Sequence, residues 1–171
     1  MKCRIVVYEK NEPDISSLMR RTIAQPGISE CKVVDQLSTK KYKRIKSIDG
    51  PGITVIDCGI KNIILEKLKS RNADVLIVPF NSTSSDILNT GPDAVLISNG
   101  PGDPSTLKHT ISTVRELTGK IPLFGICLGH QIISLALGAK TYKLKFGHRG
   151  TNHPVVDCDI GREIHSQKNC F

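Results

Sequence analysis

From Ile53 onward the chain alternates short, continuous apolar runs with longer amphipathic stretches. The runs are Ile53-Thr54-Val55-Ile56, Val75-Leu76-Ile77-Val78-Pro79, Ala94-Val95-Leu96-Ile97 and Pro122-Leu123-Phe124-Gly125-Ile126, bounded by Gly, Pro, Asn or Asp. Each is too short for a helix, and none alternates apolar with polar as a half-exposed strand would, so they read as buried strands. Between them the period changes. Ile60, Ile63, Ile64 and Leu68 fall on one helical face, Leu107, Ile111, Val114 and Leu117 do so after Pro104, and Leu128 to Leu137 is helical up to Gly138. Buried strands separated by amphipathic helices predict an α/β fold: an open, mostly parallel sheet with helices on both faces, because right-handed crossovers lay helices over each side.

The first fifty residues lack this regularity. Met1 to Tyr8 could form a short strand and Asp14 to Ala24 a helix capped by Asp14, after which Gln25-Pro26-Gly27 punctuates and the pattern turns polar. We therefore expect a linker segment over 1–50 and one folded domain over 51–171. The chain has 171 residues, 39% hydrophobic and 23% charged, which suits an ordinary globular domain. No apolar run approaches the roughly 20 residues that cross a bilayer, so neither membrane association nor secretion is expected and the location reads as cytoplasmic. A formal charge of +8 raises the question of nucleic acid, but seven aromatic residues (three Tyr, four Phe) and no Trp supply little stacking surface. The basic run Lys40-Lys41-Tyr42-Lys43-Arg44-Ile45-Lys46 reads as a solvated stretch rather than a nucleic-acid site. The six cysteines (Cys3, Cys31, Cys58, Cys127, Cys158, Cys170) have no paired spacing, which points to reduced thiols.

In open α/β sheets ligands sit at the carboxyl ends of the strands, so the residues that follow each apolar run carry the candidate chemistry. The fourth run ends in Gly125-Ile126-Cys127-Leu128-Gly129-His130-Gln131, a G-x-C-x-G corner between strand and helix. This has the form of a nucleophile elbow, with a thiol at the first turn of a helix, where unpaired N–H groups and the dipole favour thiolate. The other cysteines lack that context. The third run ends in Ser98-Asn99-Gly100-Pro101-Gly102-Asp103-Pro104. Alone this is a tight turn; beside the elbow, the N–H groups of Gly100 and Leu128 form a natural pair to hold a developing oxyanion. His130 should point along its helix away from Cys127, and His109, His148, His153 and His165 have no spacing that demands proximity. His148 and His153 bring no cysteine or carboxylate at ligand spacing, so no metal site is expected.

These two motifs resemble those of class I, triad-type glutamine amidotransferases. Within that family, Thr54-Val-Ile-Asp-Cys-Gly-Ile-Lys-Asn62 and the stretch from Leu137 to Pro154, including Phe146-Gly-His-Arg-Gly150, are similar to small subunits of carbamoyl phosphate synthetases. The resemblance implies a flavodoxin-like sheet, hydrolysis of L-glutamine to supply ammonia to a large ATP-using synthetase subunit, and a place in pyrimidine and arginine biosynthesis. It implies no cofactor. It makes Cys127 the nucleophile, Gly100 and Leu128 the oxyanion hole, and Gly100, Gly102, Leu128, Gln131 and Phe171 the substrate contacts. It also implies a triad histidine and glutamate in a His-Pro-Glu element, which these residues do not contain. The family's Ser-Gln-Asn-His-Gly-aromatic stretch is here Ser166-Gln167-Lys168-Asn169-Cys170-Phe171. The domain is thus expected to be incomplete at its carboxyl end and the chain alone weakly active or inactive. A catalytically inactive module that docks on a synthetase is the alternative.

Overall fold

The computed structural model describes residues 5–8, 13–27, 31–142, 144, 152–157 and 159–167. Contacts divide it into two compact units, 1–140 and 141–171. In the first unit, helix α1 (Ile15–Ile23) and helix α2 (Val33–Leu37) precede a three-residue strand, β1 (Lys43–Ile45). The Asp14 carboxylate accepts the Ser17 N–H at 3.1 Å, so the expected cap closes the first turn of α1. Ile5 to Tyr8 form no strand; Ile5 and Val7 stand nine-tenths or more exposed.

Each of the four apolar runs becomes a strand: β2 (Gly52–Asp57), β3 (Asp74–Pro79), β4 (Ala94–Ile97) and β5 (Leu123–Gly125), separated by helices α3 (Asn62–Lys69), α4 (Ser84–Leu88) and α5 (Lys108–Leu117) and followed by α6 (Leu128–Ala136). The sheet order is β1-β3-β2-β4-β5, parallel throughout except for β1. Register places Val55 between Ile77 and Leu96, and Ile56 between Val78 and Ile97. Successive side chains therefore face opposite layers. Ile56, Val78, Val95 and Ile97 join Val114, Leu117, Leu128 and Ile132 in one core under α5 and α6. Val55, Val75, Ile77 and Leu96 form the other with Ile64, Leu65 and Leu68 of α3. Each fully buried aliphatic side chain contributes roughly 1.5 to 3 kcal/mol, and covering both faces is what makes an uninterrupted apolar strand favourable.

Two expectations change. The fourth run is not a fully buried strand: β5 pairs only with β4 among the described residues, and Phe124 is 60% exposed. It shares the α3 face with its register partner Leu96, but α3 packs over β3, well inside that edge. The stretch read as linker also contributes to the domain. Val34 of α2 is buried in the α5/α6 core, and β1 pairs antiparallel with β3, where Arg44 Nη2 and Nε donate to Asp74 at 2.5 and 3.0 Å. The polar pattern concealed this because an edge strand needs only one apolar side. The second unit is an antiparallel hairpin, β6 (Asn152–Asp157) with β7 (Arg162–Gln167), running in register from Asn152 opposite Gln167 to Asp157 opposite Arg162.

Candidate active site

The carboxyl ends of β2, β4 and β5 meet at one place. β5 leads directly into α6 through Cys127, whose backbone sits at φ 52°, ψ −104°, a conformation that a residue with a side chain adopts only under strain. Three contacts hold the bend. The Ile126 N–H donates to the Ile97 carbonyl at 3.1 Å, the Gly129 N–H returns to the Ile126 carbonyl at 2.9 Å, and the Gln131 N–H starts the helix on the Cys127 carbonyl at 3.2 Å. The corner is so tight that a Cβ on Gly129 would lie 2.1 Å from the Ile97 carbonyl oxygen. Leu128 is 2% exposed and anchors the elbow in the core, whereas Cys127 is exposed. The thiol at this corner is therefore exposed at the start of α6.

The loop after β4 lies against the same elbow. A Cβ on Gly100 would fall 2.8 Å from Leu128 Cδ2 and 2.2 Å from the Cys58 carbonyl oxygen, so only glycine lets the loop settle between the β2 turn and α6. Asp103 then caps a single 3-10 turn, Pro104–Thr106, by accepting the Ser105 N–H at 2.9 Å. None of the backbone acceptors among the described residues takes the N–H of Gly100 or Leu128. The corner thus holds an exposed thiol at a helix N-terminus, next in sequence to the Leu128 amide and with Gly100 packed against the Leu128 side chain, and a thiol so placed can attack an electrophilic carbon.

Of the remaining sequence candidates, Gln131 is exposed one helical turn beyond Cys127, and His130 is exposed beside it. Gly102, at φ 96°, lines a cavity of about 330 Å³ together with Val33, Asp35, Phe80, Thr106 and Leu107. Phe171, the 146–150 motif, Cys3, Cys158 and Cys170 lie outside the described residues.

Sequence reading passed over Asp57, although it too follows an apolar run. It is 6% exposed and accepts the N–H groups of Thr39 at 2.7 Å, Gly59 at 2.9 Å and Ile60 at 2.9 Å. One carboxylate thus ties the segment before the sheet to the turn that supports Gly100. Beside it, the buried Cys58 thiol is pushed up to about 12, first by desolvation and then by the Asp57 charge. At pH 8 a thiol of that pKa is ionised to about one part in ten thousand. Iodoacetamide at pH 8 is therefore expected to modify Cys127 and leave Cys58 intact on peptide mapping; modification of Cys58 in the folded chain would contradict its burial.

The fold and this corner place the chain in a known class. Residues 54–171 match the family described as glutamine amidotransferase class-I, and the chain belongs to that family. Within it, the chain is similar to carbamoyl phosphate synthase small chains. It is 46% identical over 156 residues to that of Archaeoglobus fulgidus, covering 91% of this chain and 44% of the relative. It is 47% identical over 140 residues to the pyrimidine-specific small chain of Halalkalibacterium halodurans, covering 80% of this chain and 39% of that one. The chain thus spans less than half the length of these relatives. A solved structure from Thermoplasma acidophilum is similar over 71% of this chain and 65% of its own, with a TM-score of 0.57 and 25% identity. Among the described residues no helix is long and apolar enough to cross a membrane.

Proposed function

We propose that this chain carries the glutamine-hydrolysing site of a carbamoyl phosphate synthase small subunit and passes ammonia to a large, ATP-using synthetase subunit. The observation that carries the reading is the strained, exposed Cys127 at the start of α6, with Gly100 packed against the next residue. In this scheme the Cys127 thiolate attacks the side-chain amide carbon of L-glutamine. The carbonyl oxygen becomes an oxyanion held by the N–H groups of Gly100 and Leu128, and the C–N bond breaks as the nitrogen leaves, protonated, as ammonia. Water then cleaves the thioester to release glutamate and restore the thiol. Gly102, Gln131 and Phe171 contact the substrate. In the family the protons travel through a histidine of the His-Pro-Glu element, so a test of this chain should need only nucleophile and oxyanion donors.

A chloroketone analogue of glutamine meets that requirement, since its ketone oxygen takes the place of the amide oxygen. A single adduct on Cys127, slowed by added L-glutamine, is the expected result. Absence of an adduct at that position, or labelling indifferent to glutamine, would overturn the proposal and favour the module that docks on a synthetase without hydrolysing glutamine.

A further inference from the structure

In the proposed scheme the Gly100 N–H donates to the developing oxyanion, which requires that its peptide unit be held in one orientation. We propose that Ser98 is a positioning residue whose buried hydroxyl sets the direction of the Gly100 N–H by holding the opposite end of the same peptide unit. This inference rests on the proposed role of Cys127 and Gly100.

Ser98 is fully buried at the end of β4. Its Oγ accepts the Cys58 N–H at 2.9 Å and lies 2.8 Å from the Asn99 carbonyl oxygen, to which it donates. The order of donation is forced: a hydroxyl has one hydrogen, the Cys58 amide can only give, and the Asn99 carbonyl can only accept. That carbonyl and the Gly100 N–H belong to one planar trans peptide, in which C=O and N–H point in opposite directions. Fixing the oxygen therefore fixes where the hydrogen points.

Neighbouring bonds keep the unit from rotating as a whole. The Asn99 side chain accepts the Lys61 N–H at 3.2 Å and donates from Nδ2 to the Gly59 carbonyl at 3.3 Å. The turn that receives these bonds is itself held by Asp57 through the Gly59 and Ile60 amides. An oxyanion donor is effective when it is oriented before charge develops, so a hydroxyl that removes a rotational freedom from this peptide acts on the reaction without touching substrate.

The test compares two alkylations of the same thiol in the native chain and in Ser98→Ala, Ser98→Thr and Asn99→Ala. Iodoacetamide reads thiol access and ionisation alone; the glutamine chloroketone also needs the oxyanion donors. Ser98→Ala is expected to lower the chloroketone rate at least tenfold and to change the iodoacetamide rate by less than about twofold, in keeping with losses of a hundredfold or more when an oxyanion donor is removed outright. Ser98→Thr, which keeps the hydroxyl, should restore most of the loss. Asn99→Ala, at a partly exposed position, should lower the ratio of the two rates by a few fold. A parallel fall in both rates, or an unchanged ratio in Ser98→Ala and Asn99→Ala, overturns the proposal. If the native chain itself shows no preference for the chloroketone, the reading of the site has failed. The Gly100 amide resonance of the isotope-labelled chain then decides the latch: it should shift or broaden in Ser98→Ala and not in Ser98→Thr, and no change in either sinks it.

Discussion

Cys127→Gly is expected to abolish adduct formation with the glutamine chloroketone and, at the same time, to make the chain more stable. Under the proposed function Cys127 is the nucleophile of a coupled catalytic unit, whose loss lowers turnover by about four powers of ten or more, so glutamine hydrolysis by the proposed small–large subunit assembly should fall to that extent. The stability change has the opposite sign because φ 52° and ψ −104° strain any residue that carries a Cβ. Such strain costs on the order of 1 to 3 kcal/mol, while the extra freedom glycine gives the unfolded chain costs about 0.5 to 1. The net gain is about 1 kcal/mol, or roughly 2 to 4 °C in melting temperature for a chain of this length. Cys58→Gly is the control. Cys58 is fully buried with no such backbone, so its truncation should lower stability by about 2 kcal/mol. Thermal melts of the two variants should move in opposite directions; a fall of similar size in both would mean that the bend at 127 stores no strain.

Gly129→Ala should cost roughly 3 kcal/mol or more, lowering the melting temperature by about 6 to 12 °C, because its methyl group would collide with backbone rather than with a side chain that can move. The new Cβ would sit 2.1 Å from the Ile97 carbonyl oxygen and 2.9 Å from that of Ser98. Relief requires α6 to withdraw from the end of β4, which drags Leu128 from the core and opens the corner at Cys127. The labelling rate with chloroketone should therefore fall along with stability. Gly138→Ala offers the comparison: its Cβ would meet nothing within 4 Å, and only its φ of 92° stands against it. That change should cost about 1 kcal/mol. Equal urea midpoints for the two variants would show that α6 does not approach the sheet as closely as the geometry requires.

Much of this corner was readable in advance, and its legibility had a specific source. Gly125, Cys127 and Gly129 lie within five consecutive residues, so their spacing marks the elbow in the sequence, although contacts with Ile97 hold it in place. The helix cap at Asp14 and the strands β2 to β4 were legible for the same reason, since capping and period are properties of neighbours in sequence. Asp57 and Ser98 were not legible as a framework. Besides its local bonds each has one partner far away along the chain, Thr39 for Asp57 and Cys58 for Ser98, and that long-range bond is what ties separate segments together. β1 was equally hidden, as its three residues become a strand only because β3 offers an unpaired edge.

The sequence by itself determined the alternation of buried strands and amphipathic helices, the sharp turn that carries a thiol, and the glycine-rich loop after β4, because each depends on residues a few positions apart. Only the tertiary structure decided that Gly100 rests against Leu128, that the Asp57 carboxylate binds the segment before the sheet to the turn after β2, and that Phe124, on a strand paired only with β4 among the described residues, is largely exposed. Those outcomes follow from strand order and from which face each helix covers, and the free energy that selects them comes from burying side chains that are distant in sequence.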